Sequence, residues 1–311
     1  MLRTRTVLAA LLAAAVLPLA ACGSSENPVS PAQPGSTGGG TGTGSGGGTA
    51  VVIGSADFPE SALLGEIYAQ ALEAKGMTVK RQFNIGNRET YLKAMQGGEI
   101  NVIPEYTGSL TNYFDPNVKA TNPDEVYAAL KTKLPAGLTV LAKSAAEDKN
   151  SLVVTKETAN AWSLKAIPDL VAHQGELSIA APAEFRTRHQ GLVGLKEVYN
   201  LVPKEFRPLA SQATVEALKN GQVKAANIFS TDPSIAANGF VVLEDPKLLF
   251  GSDNVVPLVS EKVASEVQAP LDAVSAKLDT PALAEMVKQV VVDQKDAAVV
   301  AKAWLSSIGV G

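Results

Sequence analysis

Apolar positions along the chain switch repeatedly between a strand period and a helix period. Val51-Val52-Ile53 reads as a buried strand. Pro59 and Glu60 then open a helix that carries Leu63, Leu64, Ile67, Tyr68, Ala71 and Leu72 on one face and stops at Gly76. Met77 to Phe83 alternates as a strand. Tyr91, Leu92 and Met95 mark a short helix ended by Gly97-Gly98, and Ile100 to Ile103 is the next strand. Asn122-Pro123-Asp124-Glu125 is a helix start, with proline at the first helical position and acids in the first turn. Further strands are predicted near Leu152–Thr155, Leu177–Ala180, Ala225–Phe229 and Phe240–Leu243, with helices between them. The C-terminal part is helical from Thr280-Pro281, breaks near Asp293–Asp296 and runs to Trp304 and Gly309. Strands alternating with helices predict α/β units with largely parallel sheets.

One passage has an echo. Lys93-Ala94-Met95-Gln96-Gly97-Gly98 leads into a strand ending at Tyr106-Thr107, and Ala217-Leu218-Lys219-Asn220-Gly221 leads into one ending at Phe229-Ser230. In each, an aromatic and a small hydroxyl residue fall eight positions after the last glycine. The echo predicts one ring at the carboxyl end of an equivalent strand in each half of the body, where open α/β sheets bind ligands.

The first fifty residues follow different rules. Arg3 and Arg5 precede an apolar run from Val7 to Leu17, then small residues at Ala20 and Ala21, the pattern of an export signal. Leu19-Ala20-Ala21-Cys22 resembles the bacterial lipobox, so Cys22, the only cysteine, is expected to be acylated and to anchor the chain. Residues 23–50 are dominated by Gly, Ser, Thr and Pro without apolar periodicity. They are expected to form a tether with a reach of roughly 25–35 Å. Gly42, Gly44 and Gly47 fit a dinucleotide fingerprint by spacing, but no strand precedes them and no helix follows.

Composition narrows the function. A net charge of −4 and a pI near 5.4 argue against nucleic acid as a partner. Both histidines, His173 and His189, lack a metal-ligand partner at useful spacing, and the carboxylates are scattered along helical faces. No nucleophile with a paired base stands out, so the expectation is a protein that is not an enzyme and takes no cofactor.

Several segments resemble, in order, the substrate-binding proteins of osmoprotectant ABC importers. They are Ile53-Gly54-Ser55-Ala56-Asp57-Phe58-Pro59-Glu60, the helix "GEIYAQALEAKG", "NIGNRETYLKAMQGGEINVIPEYTGSL", "EFRTRHQGLVGL" and "IFSTDPSI". The resemblance covers most of residues 51–260. It implies a two-lobed periplasmic-binding-protein-like (type II) fold, each lobe a mostly parallel sheet flanked by helices, with a ligand cleft between them. Residues 51–147 and 248–311 would form lobe I and 148–247 lobe II, after a signal peptide at 1–21 and a tether at 22–50. The chain would cross near Glu147–Asn150 and return near Glu244–Phe250. The implied partners are a small solute such as glycine betaine, carnitine or choline, a permease with a cytoplasmic ATPase, and the membrane through the lipid anchor on its extracytoplasmic face.

The resemblance also assigns residues. An aromatic cage surrounds a quaternary ammonium, which has no N–H to donate, and each ring face contributes about 0.5–2 kcal/mol. Tyr106 and Phe229 fall on two cage positions. Leu152 and Val215 fall where further rings usually stand. Ser109 keeps a hydroxyl donor, Arg188 matches the expected arginine for a ligand carboxylate, and Ala56 stands where a lysine is common. Asp57 is either a site residue or the cap of the helix opened at Pro59. Arg88 and Asn84 lie in a loop facing the cleft or the importer. The half-kept cage leaves open a receptor of the same fold with another ligand, an uncharged aromatic or polyhydroxylated compound. An exported enzyme or a solute sensor on this scaffold are further alternatives.

Overall fold

The structure is a computed structural model and describes residues 50–310. The expected signal peptide, Cys22 and nearly all of the expected tether lie outside the described residues.

Among the described residues, ten strands fall into two five-stranded sheets. The strands are β1 (Val51–Gly54), β2 (Val79–Gln82), β3 (Val102–Tyr106), β4 (Leu138–Val140), β5 (Asn150–Val154), β6 (Ser178–Ala181), β7 (Glu205–Pro208), β8 (Ala225–Phe229), β9 (Val241–Val242) and β10 (Val255–Ser260). The helices are α1 (Pro59–Glu73), α2 (Arg88–Gly97), α3 (Thr107–Phe114), α4 (Pro123–Lys133), α5 (Lys156–Trp162), α6 (Gly194–Tyr199), α7 (Gln212–Lys219), α8 (Ser234–Ala237), α9 (Glu261–Ser275), α10 (Thr280–Val291) and α11 (Ala297–Ser307). The first sheet has the order β2-β1-β3-β10-β4 and the second β7-β6-β8-β5-β9.

The two orders are the same pattern used twice. In each sheet the pairings place four strands in one direction and invert a single strand, β10 in the first and β5 in the second. The inverted strand is the one entered directly after the chain crosses from the other sheet. A strand reached by a right-handed βαβ connection must run parallel, whereas one reached by crossing need not.

The local reasons match the sequence pattern. Pro59 stands at the start of α1, whose inner face buries Leu63, Leu64, Ile67, Tyr68 and Leu72. The Asn87 side chain accepts from Thr90 N to start α2, and Asn122 accepts from Glu125 N to start α4. Gly98 ends α2 in the left-handed conformation, φ 78°. The break between α10 and α11 is real: Asp296 caps α11 by accepting from Ala298 N and Val299 N.

Each sheet has its own core. Ile53, Leu63, Leu64, Ile67, Leu72, Val102 and Val255 pack with residues of α9, α10 and α11 in the first lobe. Leu152, Val154, Ile167, Leu170, Ile179 and Leu195 pack in the second. Leu249 and Phe250 also belong to this second core. The expected division at 248 assigns both residues to the first lobe, whereas their side chains bury in the second core.

Candidate functional site

A cavity of about 540 Å³ lies where the strand ends of the two sheets face each other. A site between lobes at carboxyl ends of strands is where α/β proteins place ligands. Tyr106 is the last residue of β3 and Phe229 the last of β8, the middle strands of their sheets. Their registers agree: Tyr106 pairs with Val255, the first residue of β10, and Phe229 with Asn150, the first of β5. The echo in the sequence thus marks equivalent positions, and both rings line the cavity.

A third ring joins them. Phe58 precedes α1, and its ring stacks on Phe229 at 5.5 Å between centroids and on Tyr106 at 6.3 Å. Sequence reasoning missed it, although Phe58 sits inside a quoted motif. The signal was available: Phe58 occupies the N-cap of α1 with no capping hydrogen bond, a position a polar residue normally takes. Asp57 does not cap α1; it lies exposed on the rim of the cavity.

Below the rings lies a set of buried carboxyls. Glu60 accepts from Tyr106 Oη through Oε1 at 2.6 Å and from Thr231 Oγ1 through Oε2 at 2.6 Å. The second bond joins α1 of the first lobe to the segment after β8 of the second. Asp148, on the crossing segment, accepts from Ser230 Oγ and from Thr231 N through Oδ1. Burial pushes both carboxyls above their ordinary range, and for Asp148 the nearby Glu60 adds to the effect. Asp253, just before β10, is pushed up to about 7 by burial, against the lowering effect of the hydrogen bonds it accepts from Ser109.

The remaining expected residues divide. Ser109 lines the cavity from α3; its N and Oγ contact the Asp253 carboxyl at 2.9 and 2.5 Å, and its Oγ lies 3.0 Å from Gln190 Oε1. This close packing needs Gly108, where a Cβ would stand 2.2 Å from the Ser252 carbonyl oxygen. Arg188 lines the cavity from the second lobe and donates through Nη2 to Glu89 Oε2 at 3.0 Å, with Glu184 at 3.8 Å. Its Nε is buried with no hydrogen-bond partner among the described residues. Val215 lines the cavity from α7, as does Ala56 from the loop after β1.

Leu152 does not reach the cavity. It is fully buried in the core of the second lobe, two residues along β5 from the strand's cavity end. Asn150 occupies that end instead and lines the cavity opposite Phe229. Asn150 and Leu152 are two residues apart and share a face of β5, so the position that the resemblance gives to a ring lies one step deeper than the cavity wall. Arg88, the first residue of α2, does line the cavity; it donates to Glu105 through Nε at 2.7 Å and Nη2 at 2.8 Å, and Tyr91 Oη donates to the same carboxylate at 2.6 Å. Asn84 has φ 56° and donates its N–H to Ser55 Oγ.

The arrangement offers ring faces, buried carboxyls and the Arg188 guanidinium around one cavity. Such a surface suits a small solute with a positively charged, alkylated group and an acceptor at its other end. Among the described residues no cluster of three or more His, Cys, Asp and Glu side chains is placed to hold a metal ion. No described helix is long and apolar enough to cross a membrane.

Comparison with known proteins agrees with this geometry. The family described as the substrate-binding domain of ABC-type glycine betaine transport system matches residues 49–307. The chain is 30% identical over 277 residues to the glycine betaine-binding protein YehZ of Escherichia coli, covering 83% of this chain and 90% of that one. It is 23% identical to the ergothioneine transport permease/ergothioneine binding protein EgtU of Helicobacter pylori, covering 83% of this chain and 48% of the relative. Among solved structures, a glycine betaine/carnitine/choline ABC transporter protein superposes with a TM-score of 0.65 at 22% identity, over 84% of this chain and 99% of that one.

Proposed function

Because this chain belongs to the family of substrate-binding domains of ABC-type glycine betaine transport systems, we propose that it captures a quaternary-amine osmoprotectant, such as glycine betaine or choline, in the cavity between its lobes. It then hands the solute to the permease of an ABC importer with a cytoplasmic ATPase. The role is capture and release, with no turnover of the solute.

The observation that carries this reading is the row of three rings, Tyr106, Phe58 and Phe229, beside the buried Glu60 carboxyl. Ring faces attract a trimethylammonium group that no hydrogen-bond acceptor can hold by N–H contacts. The Arg188 guanidinium supplies a donor for a ligand carboxylate. Asp57, Ser109 and Val215 complete the wall. The lobes close on the solute as rigid bodies about the two crossing segments. In this reading Cys22 is acylated and the segment after it tethers the binding lobes to the extracytoplasmic face of the membrane.

Calorimetric titration with glycine betaine, carnitine and choline tests the assignment. Binding of at least one, weakened in Tyr106→Ala, is expected. Arg188→Ala is expected to weaken the two carboxylate-bearing solutes more than choline. No heat from any quaternary amine overturns the osmolyte reading. Cys22→Ala is expected to move the protein from the membrane fraction to the soluble fraction.

A second reading, the same receptor with another ligand, is favoured by one feature. Phe58 stands 5.5 and 6.3 Å from its neighbours, so the rings face each other and leave no gap for a cation between them. A ligand must then lie on an outer ring face, and binding of an uncharged aromatic or polyhydroxylated solute in the same titration would select this reading.

A further inference from the structure

Ser109 Oγ stands between two oxygen acceptors. Asp253 Oδ2 is 2.5 Å away and Gln190 Oε1 is 3.0 Å away. The Gln190 amide is oriented by its other end, where Nε2 donates to the Phe250 carbonyl at 3.1 Å. Gln190 therefore presents an oxygen to Ser109, not an N–H. A serine hydroxyl carries one proton. With Asp253 ionised, Ser109 can donate to only one of the two, and the other contact sets lone pairs against lone pairs.

A proton on Asp253 Oδ2 removes the conflict. Asp253 then donates to Ser109 Oγ, and Ser109 donates to Gln190 Oε1. The other carboxyl oxygen is already occupied, since Oδ1 accepts from Ser109 N at 2.9 Å. The relay crosses the cleft. Ser109 on α3 and Asp253 before β10 belong to the first lobe, whereas Gln190 lies between β6 and β7 of the second.

We propose that closing the two lobes takes up one proton from solvent at Asp253, which allows Ser109 to bridge to Gln190. When the lobes separate, Gln190 leaves, Ser109 donates back to Asp253, and the carboxyl ionises. The charged and titratable groups around Asp253 are Arg88 from α2, Glu105 and Tyr106 from β3, and Asp148 on the crossing segment, whose N–H donates to the Asp253 carbonyl. Arg88 is held by Glu105, which blunts its pull on Asp253. On the facing segment, Arg188 and His189 flank Gln190, and Arg188 is paired with Glu89. Burial holds the Asp253 carboxyl up to about 7, inside the range a cell exterior samples. The linkage goes beyond solute capture and holds whichever solute the cavity takes.

The test is a distance measurement without ligand. Spin labels on Lys93→Cys in α2 and Lys219→Cys in α7, one on each lobe, are introduced in a Cys22→Ala background of the full chain. Electron–electron resonance then gives the closed and open populations between pH 5.5 and 8.5. The closed-to-open ratio is expected to fall with rising pH, by up to about tenfold per pH unit below about 7, and to level off above it, as one linked proton requires. Asp253→Asn places an amide N–H where the proton sits and is expected to stay closed at every pH. Ser109→Ala removes the hydroxyl that both partners share and is expected to give a flat profile with a smaller closed fraction. A wild-type ratio that is constant or rises with pH overturns the proposal. So does an Asp253→Asn or Ser109→Ala protein that keeps the wild-type slope.

Discussion

The Tyr106 hydroxyl donates to Glu60 Oε1 at 2.6 Å, which ties the ring at the end of β3 to the first turn of α1. The other oxygen of Glu60 accepts from Thr231 of the opposite lobe. One carboxyl thus holds a cavity-lining ring and a contact between lobes at the same time. Changes at Tyr106 should therefore separate two effects, the ring face and the hydrogen bond.

Tyr106→Phe keeps the face and deletes the donor. Leaving a buried Glu60 oxygen unsatisfied is expected to cost about 1–3 kcal/mol of stability in urea denaturation. Affinity for the best quaternary amine should change by no more than a few-fold. Tyr106→Ala removes the face as well, and affinity should fall by about 2- to 30-fold, the equivalent of one cation–π contact. Equal affinity losses in both variants would show that the hydroxyl, not the ring, meets the ligand.

The pair Arg88 and Glu105 is buried, with side-chain exposures of 7% and 0%. Arg88→Ala would strand the Glu105 carboxylate with only the Tyr91 hydroxyl and Tyr106 N–H for donors. A loss of about 3–5 kcal/mol is expected in denaturant unfolding. A loss under 1 kcal/mol would mean that water reaches the carboxylate.

Leu152 tests the position of the cavity. Leu152→Ala is expected to destabilise the protein by about 2–5 kcal/mol, as deletion in a packed core does, with affinity nearly unchanged. Asn150→Ala should do the reverse, because Asn150 lines the cavity. Calorimetry and thermal unfolding on both variants decide the matter. An affinity loss confined to the Leu152 variant would return Leu152 to the site.

Stability should also depend on pH through Asp253. Its carboxyl is raised from 3.8 to about 7 by burial in the folded protein. The folded state then holds the proton more tightly than the unfolded chain. This contribution is fully present below the unfolded value near 4 and is lost as pH rises through about 7. The slope within that window is at most about 1.4 kcal/mol per pH unit for one group. Glu60 and Asp148, also raised, act with the same sign. Urea unfolding at several pH values between 4.5 and 7.5 should show a shallower slope for Asp253→Asn than for the wild type. Identical slopes would place the titration elsewhere.

Much of this was legible in the chain itself. The apolar face of α1, the caps at Asn87 and Asn122, and the glycine-led echo before Tyr106 and Phe229 are local signals, set by periods of 3.6 and 2 and by backbone hydrogen bonding. Phe58 was present in a motif but carried no local mark of its role beyond an uncapped helix start. The resemblance put Leu152 on a cage position, but a likeness of motifs says nothing about depth along a strand, and Leu152 packs in the second core.

The sequence by itself determined the alternation of strands and helices, the likeness to a family of binding proteins, and the two aromatic strand ends, because these depend on neighbours within a few residues. Only the tertiary structure decided what surrounds those rings. Glu60 meets Tyr106 across 46 positions and Thr231 across 171, and Ser109 meets Asp253 across 144 and Gln190 across 81. The contacts to Thr231 and Gln190 arise when the crossing segments bring two separately packed cores together, those to Tyr106 and Asp253 when the first lobe packs on itself, and no local pattern encodes either approach. Burial in the resulting cleft then raises Glu60, Asp148 and Asp253, a property of the surroundings that the residues do not carry in the chain.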